Sequence, residues 1–334
     1  MAGPHRSGTS LVAGLLGSSV GSLPVDLMRP ALSNAKGFNE SWSIVHLNEF
    51  ILRESGLTWD SVEPTGKQIF KESFQKKFYA KCLDCFLENF PKSSPDGSSS
   101  VVLKDPRFCR TFPIWKKTLL ELDYKIHVVI PLRSPVDVMY SLMKRDDIDA
   151  ASAVLIWYWH IVEILIHTEK MDVRFVVYDR LLEDPSEHLR LALGIKISDS
   201  TADLIDGKLN HSKQHDTLAR TYFEEEPFNS SLLLYENLLN SPMPDTGVIS
   251  KIKSSYFFNH VLKAHIERKN TLFQKRLIRE ITSLNGLSEK ENIKKFWNGS
   301  HSTDSVSSGE PNGQENETKK PSNLSNLLNI FKKS

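Results

Sequence analysis

The sequence opens MAGPHRSGTSLVAGLL, Met1 to Leu16, and the reading of this stretch decides the fold. Gly3 and Gly8 bracket a short loop, and glycine lets backbone N–H groups come close to a ligand. Thr9 and Ser10 add hydroxyl donors, and Arg6 adds a fixed positive charge. The apolar spacing of Leu11, Leu15 and Leu16 predicts a helix over 9–18, whose positive dipole end points at whatever the loop holds. Together these parts make a cradle for a phosphate or sulfate. The two glycines nearly fit the pattern G-x-x-x-x-G-K-[ST], but Thr9 stands where that pattern has lysine. The departure argues against a nucleoside triphosphatase.

Such a loop hangs from the end of a buried strand, yet only Met1 and Ala2 precede Gly3, so the first strand is expected to be missing or very short. After a loop-like stretch from Gly21 to Gly37, Ser41 reads as the N-cap of a helix carrying Ile44, Leu47, Ile51 and Leu52. Glu40 therefore occupies the last loop position before a helix. Residues 67–90 read as one amphipathic helix, and Val101-Val102-Leu103 as a short strand that runs into Lys104-Asp105-Pro106-Arg107. Polar residues at the end of a buried parallel strand are where α/β folds place ligand contacts. A helix is predicted over Phe112–Leu122 and a strand over Lys125–Leu132, followed directly by Arg133-Ser134-Pro135-Val136-Asp137. Ser134 is an N-cap, Pro135 suits the first helical position and Asp137 completes a capping box. Arg133 then ends a strand while Ser141 lies on the second turn of the next helix, and the turn brings both towards one pocket. A long, nearly all-round apolar helix over Ala150–Thr168, a strand over 173–178 and a helix from Pro185 to Leu193 complete the pattern. The alternation implies βαβ units and a mostly parallel sheet.

Composition sets the bounds. At 334 residues and 40% hydrophobic content, the chain can bury one sizeable core. The 42 basic and 41 acidic residues leave no global field, so nucleic acid is not an expected partner and any anion site must be local. No apolar run approaches the roughly 20 residues that span a bilayer, and the N-terminus lacks the pattern of a signal peptide, so the expected location is cytoplasmic. Three cysteines make no disulfide framework, and Cys82 and Cys85 read as two buried thiols on one helix. The strand signal fades beyond about residue 210. Residues 228–290 read as helical with a Pro-rich break at 242–244, 298–322 as disordered, and 324–331 as a short amphipathic end.

Three separated segments, the N-terminal loop, the Lys-Asp-Pro-Arg turn at 104–107 and the Arg133…Ser141 pair, resemble the sulfotransferases that use 3′-phosphoadenosine 5′-phosphosulfate (PAPS). The resemblance is to the bacterial-type family whose members open with an H-R-S-G-T-S loop. A fourth segment, Tyr178 to Pro185, is similar to that family's Y-E-D-L-x-x-D-P stretch, from which Arg180 departs. The resemblance covers about residues 1–215. It implies an α/β fold with three layers, a mostly parallel sheet flanked by helices, of the P-loop NTPase-like sulfotransferase type. The implied organisation is a PAPS-binding domain over 1–215, a helical extension over 216–297 and a tail over 298–334.

The resemblance also implies roles. Arg6 takes the place of the loop lysine at the bridging oxygen and leaving phosphate. Ser7, Gly8, Thr9 and Ser10 bind the 5′-phosphate, Arg133 and Ser141 the 3′-phosphate, and Tyr178 the adenine region. Lys104 steadies the sulfuryl group. A third 3′-phosphate contact has no clear match, and Lys213 is the nearest candidate. The implied reaction moves the sulfuryl group from PAPS to a hydroxyl or amine acceptor, carbohydrate included, by in-line displacement and without a metal. The proton needs a base within reach. Pro106 stands where cytosolic members have histidine, so Glu40 is the first candidate, with Asp105 and His46 behind it. Two other classes stay open: a catalytically degenerate binding or scaffold protein, and a nucleotide kinase, which the absent lysine disfavours.

Overall fold

The computed structural model describes residues 1–30, 37–91, 100–197, 205 and 228–240. All of them fall within one compact unit, Met1–Phe273. Expectations for Lys213, for 241–297 and for the tail fall outside the described residues.

The two strongest strand signals form β1, Val128–Leu132, and β2, Val173–Val177. They pair in parallel, with Val128 opposite Val173 and Leu132 opposite Val177. Because side chains alternate along a strand, the two faces seed two cores. Val128, Ile130, Leu132, Val173, Phe175 and Val177 join one apolar cluster, and Val176 joins the other. The larger cluster takes its cover from α2 (Trp42–Glu54), α3 (Glu72–Asn89), α4 (Phe108–Glu121), α5 (Pro135–Asp146) and α6 (Ala150–His167). On the smaller cluster lie α1 (Thr9–Ser19), α7 (Tyr178–Glu183) and α8 (Pro185–Leu193), through Val12, Leu15, Leu181 and Leu189. The molecule is thus a mixed α/β protein with a small parallel sheet between helices. A further helix, α9 (Phe228–Asn240), packs on α6 and α5 and adds Phe228, Leu234 and Leu238 to the larger core.

Several sequence expectations change. Val101–Leu103 makes only a single bridge, Val101 to Ser22, and Val102 N–H donates to Ser22 O at 2.8 Å. Ahead of the loop, Met1 and Ala2 form no strand. The Met1 amino group donates to Leu103 O at 2.5 Å, and Ala2 N–H donates to Val129 O at 3.2 Å. Beside them opens a cleft of about 860 Å³ between Val101–Leu103 and β1, which none of the candidate site residues lines. The predicted 67–90 helix is a 3₁₀ turn, Lys67–Phe70, followed by α3. Tyr178 does not end a strand but starts α7. The caps at Ser41 and Ser134 form as read, accepting from Ile44 N–H and Val136 N–H. Cys82 and Cys85 are both buried, and burial pushes both thiols up. Among the described residues α6 is the one helix long and apolar enough to cross a membrane, and it is instead the centre of the larger core.

Helix α4 begins four residues before the sequence expectation and carries Pro113 inside it. Proline has no N–H to give the carbonyl four residues back. That carbonyl belongs to Cys109. Burial holds His167 down to about 4, and holds His160 down to about 3. Both rings are therefore neutral when folded at pH 6, while an unfolded histidine titrates near 6.5. The sign follows directly: this contribution to stability is complete above pH 6.5 and is lost as pH falls towards 4 and below, because the unfolded chain takes up protons first. Each ring removes about 1.4 kcal/mol per pH unit in that window. Urea midpoints measured from pH 7 to pH 4 are expected to fall steeply, and the fall is expected to be shallower in His160→Gln. An identical slope in the two proteins would refute the assignment.

Candidate functional site

The loop at residues 5–10 leads into α1, which begins at Thr9, and turns through two left-handed positions. Arg6 has φ 67° and Gly8, the N-cap of α1, has φ 84°. At Gly8 the requirement for glycine is double. A Cβ there would lie 2.4 Å from Cδ2 of Tyr178, so the tyrosine ring rests directly on the loop backbone. Gly8→Ala is expected to cost about 1–2 kcal/mol from the left-handed backbone alone, before the ring is displaced. A thermal melt lower than wild type by several degrees checks this, and an unchanged melt would count against it.

On one side of the loop the structure gathers the residues named for the nucleotide. Arg6 Nε donates to Ser141 Oγ at 2.7 Å across 135 positions of sequence. Arg133 NH1 donates to the Arg6 carbonyl at 3.1 Å, and its guanidinium lies 4.5 Å over the Tyr178 ring. The Arg133 carbonyl accepts from Trp157 Nε1 at 3.1 Å, which fixes the end of β1 to α6. Asp137 Oδ2 is 3.8 Å from Arg133 Nε. Burial, with Arg145 and Arg133 nearby, lowers the affinity of Arg6 for its proton. The crowding of cations on a half-buried loop favours an anion there. Ser7 Oγ and Arg133 Nε are buried and make no hydrogen bond among the described residues.

On the other side stands Lys104, with a side chain 1% exposed. Its ammonium donates to Glu40 Oε1, to the Phe38 carbonyl at 3.0 Å and to Ser10 Oγ at 3.2 Å. Asn39 Nδ2 donates to the Ser10 carbonyl at 2.8 Å, so the 38–40 segment is tied to the first turn of α1 twice. Arg107 holds this side together, donating to Glu49 at 2.5 Å and to Asp105 at 3.0 Å, with Glu40 Oε2 at 3.8 Å.

Loop residues 6–10, Glu40, Lys104, Arg133, Ser141 and Tyr178 are therefore brought to one place. The three base candidates differ. Glu40 stands beside Lys104 with both oxygens facing cations. Asp105 accepts from Asn48 Nδ2 at 2.8 Å and from Arg107. His46 stacks on Trp42 at 5.4 Å on an exposed face of α2.

The sequence alone assigned no role to several residues here. Arg107 was quoted only as part of a turn. His5 packs against Trp59 and His160, with ring centroids at 4.5 and 5.7 Å, and Arg145 lies 5.6 Å over Trp59. Their one signal was the position of His5 next to Arg6. Deeper still, Arg110 and Glu163 form a buried pair at 3.7 Å, and Thr65 Oγ1 donates to Glu163 at 2.7 Å.

Comparison with protein-family models, with curated proteins and with solved structures finds no match.

Proposed function

We propose that this protein is a PAPS-dependent sulfotransferase, built on the three-layer, P-loop NTPase-like α/β fold that the sequence resemblance implies. The observation that carries the reading is the meeting of Arg6, Arg133, Ser141 and Tyr178 on one side of the 5–10 loop, with Lys104 on the other. The fit is chemical. Ser7 Oγ and Arg133 Nε are buried donors that make no hydrogen bond among the described residues, a bond which a phosphate oxygen would supply.

In this reading the loop N–H groups, Ser7, Thr9 and Ser10 hold the 5′-phosphate at the start of α1. Arg133 and Ser141 take the 3′-phosphate, and the Tyr178 ring borders the adenine. The acceptor oxygen or nitrogen attacks sulfur in line with the leaving phosphate. Charge grows on the leaving oxygen, and Arg6 and Lys104 are the loop-side cations that would stabilise it. Turning to the sulfuryl group requires Lys104 to share itself between that group and Glu40. No step requires a metal. The acceptor class is a hydroxyl or amine, a carbohydrate hydroxyl included.

The test is thermal stabilisation by 3′-phosphoadenosine 5′-phosphate against ADP. The two share the adenosine and a 5′-phosphate, and only the first has the 3′-phosphate. Stabilisation by the first alone supports the reading. Equal stabilisation by both, or by neither, removes it, and preference for ATP with Mg²⁺ would favour a kinase.

A further inference from the structure

We propose that His5 takes the acceptor's proton during sulfuryl transfer, a proposal that rests on the reading above. The ring immediately precedes Arg6, whose left-handed backbone turns successive side chains to different sides of the loop. Arg6 reaches Ser141, whereas the His5 ring lies against Trp59 and edge-on to His160. His5 is 8% exposed, and its Nε2 is buried and makes no hydrogen bond among the described residues. Leaving a buried imidazole nitrogen without a partner is unfavourable, so such an atom beside a reactive loop calls for a functional explanation.

The carboxylates nearby are engaged, and His46 is stacked. Glu40 faces Lys104 and Arg107, Asp105 faces Asn48 and Arg107, and His46 stacks on Trp42. His160 bonds the Ile156 carbonyl through Nδ1 at 2.7 Å, and its Nε2, like that of His5, makes no hydrogen bond among the described residues, but its ring is fully buried whereas His5 is 8% exposed. Burial, with Arg107 at the start of α4, His160 on α6, Arg145 on α5 and Lys104, keeps the His5 imidazole well below its ordinary value. The ring is therefore neutral at pH 7, with a nitrogen lone pair to offer.

The step balances. The acceptor O–H gives its proton to the unprotonated ring nitrogen of His5 as its oxygen bonds to sulfur. The bond from sulfur to the bridging oxygen breaks, and its electron pair leaves on the 5′-phosphate. The anionic sulfuryl group offsets the charge that appears on the imidazole, which later returns the proton to solvent.

The test uses the full chain with PAPS alone, water serving as acceptor, and reads release of inorganic sulfate. His5→Gly is expected to release sulfate about 100-fold more slowly while its thermal stabilisation by 3′-phosphoadenosine 5′-phosphate matches wild type. Added imidazole is expected to restore at least about tenfold of the lost rate. His5→Asn, which fills the space, is expected to be slow and not rescued. A merely structural histidine would show no rescue. If both variants release sulfate at the wild-type rate, or if the loss in His5→Gly is not restored by imidazole, the His5 proposal is overturned while the donor reading stands. A wild type that ignores the 3′-phosphorylated nucleotide overturns the donor reading and this one with it.

Discussion

Arg133→Ala is expected to abolish the preference for 3′-phosphoadenosine 5′-phosphate over ADP. The guanidinium is only about one-tenth exposed at the end of β1, and its Nε has no hydrogen-bond partner among the described residues. A phosphate there gains a charge-assisted bond in a site shielded from water. Truncating one partner of such a pair costs about 2–5 kcal/mol, which is roughly a 30-fold loss of affinity or more. The loss should fall on the 3′-phosphorylated nucleotide alone, leaving ADP binding near its wild-type level. Arg133 also donates to the Arg6 carbonyl and lies over Tyr178, so part of any effect is structural. Arg133→Lys separates the two contributions. It keeps the charge but loses the planar fork and its stacking, and should recover part of the nucleotide preference. Calorimetric titration of both nucleotides into all three proteins measures this. An alanine variant that still discriminates would remove Arg133 from the nucleotide site.

Lys104→Met should give the largest loss of stability. The lysine and Glu40 are buried together, with side chains 1% and 9% exposed. Removing the ammonium leaves the carboxylate with Arg107 at 3.8 Å as its nearest cation. Breaking a buried pair from one side costs about 3–5 kcal/mol, because an uncompensated charge stays behind. The same substitution frees the 38–40 segment from Ser10 Oγ, although Asn39 still holds the Ser10 carbonyl. The double variant Lys104→Met with Glu40→Gln should regain much of the lost stability without regaining turnover. Urea unfolding of the two single variants and the double closes the cycle. Strict additivity would show that the pair is not energetically coupled.

Local chemistry was legible in the sequence. Ser41 and Ser134 cap helices as read because capping needs only a short side chain and the next turn of backbone. The two strands at 128–132 and 173–177 were legible because the first is a continuous apolar run and the second is interrupted only by the exposed Arg174, both between turn signals. Val101–Leu103 has the same composition but pairs only once, since a strand also needs a neighbouring edge, and that edge is not a property of the segment itself. Helix α4 starts at Phe108, four residues before the expected Phe112, and runs on through Pro113.

The sequence by itself determined which residue types could make an anion cradle and where the helix behind it starts, because glycine, hydroxyl and cap preferences act over a few residues. Only the tertiary structure decided that Arg6 meets Ser141, that Tyr178 rests on Gly8, that Glu40 pairs with Lys104 and that His5 Nε2 makes no hydrogen bond among the described residues. Each of these depends on burial and on partners distant in sequence, and desolvation and pairing have no signature in the order of residues along the chain.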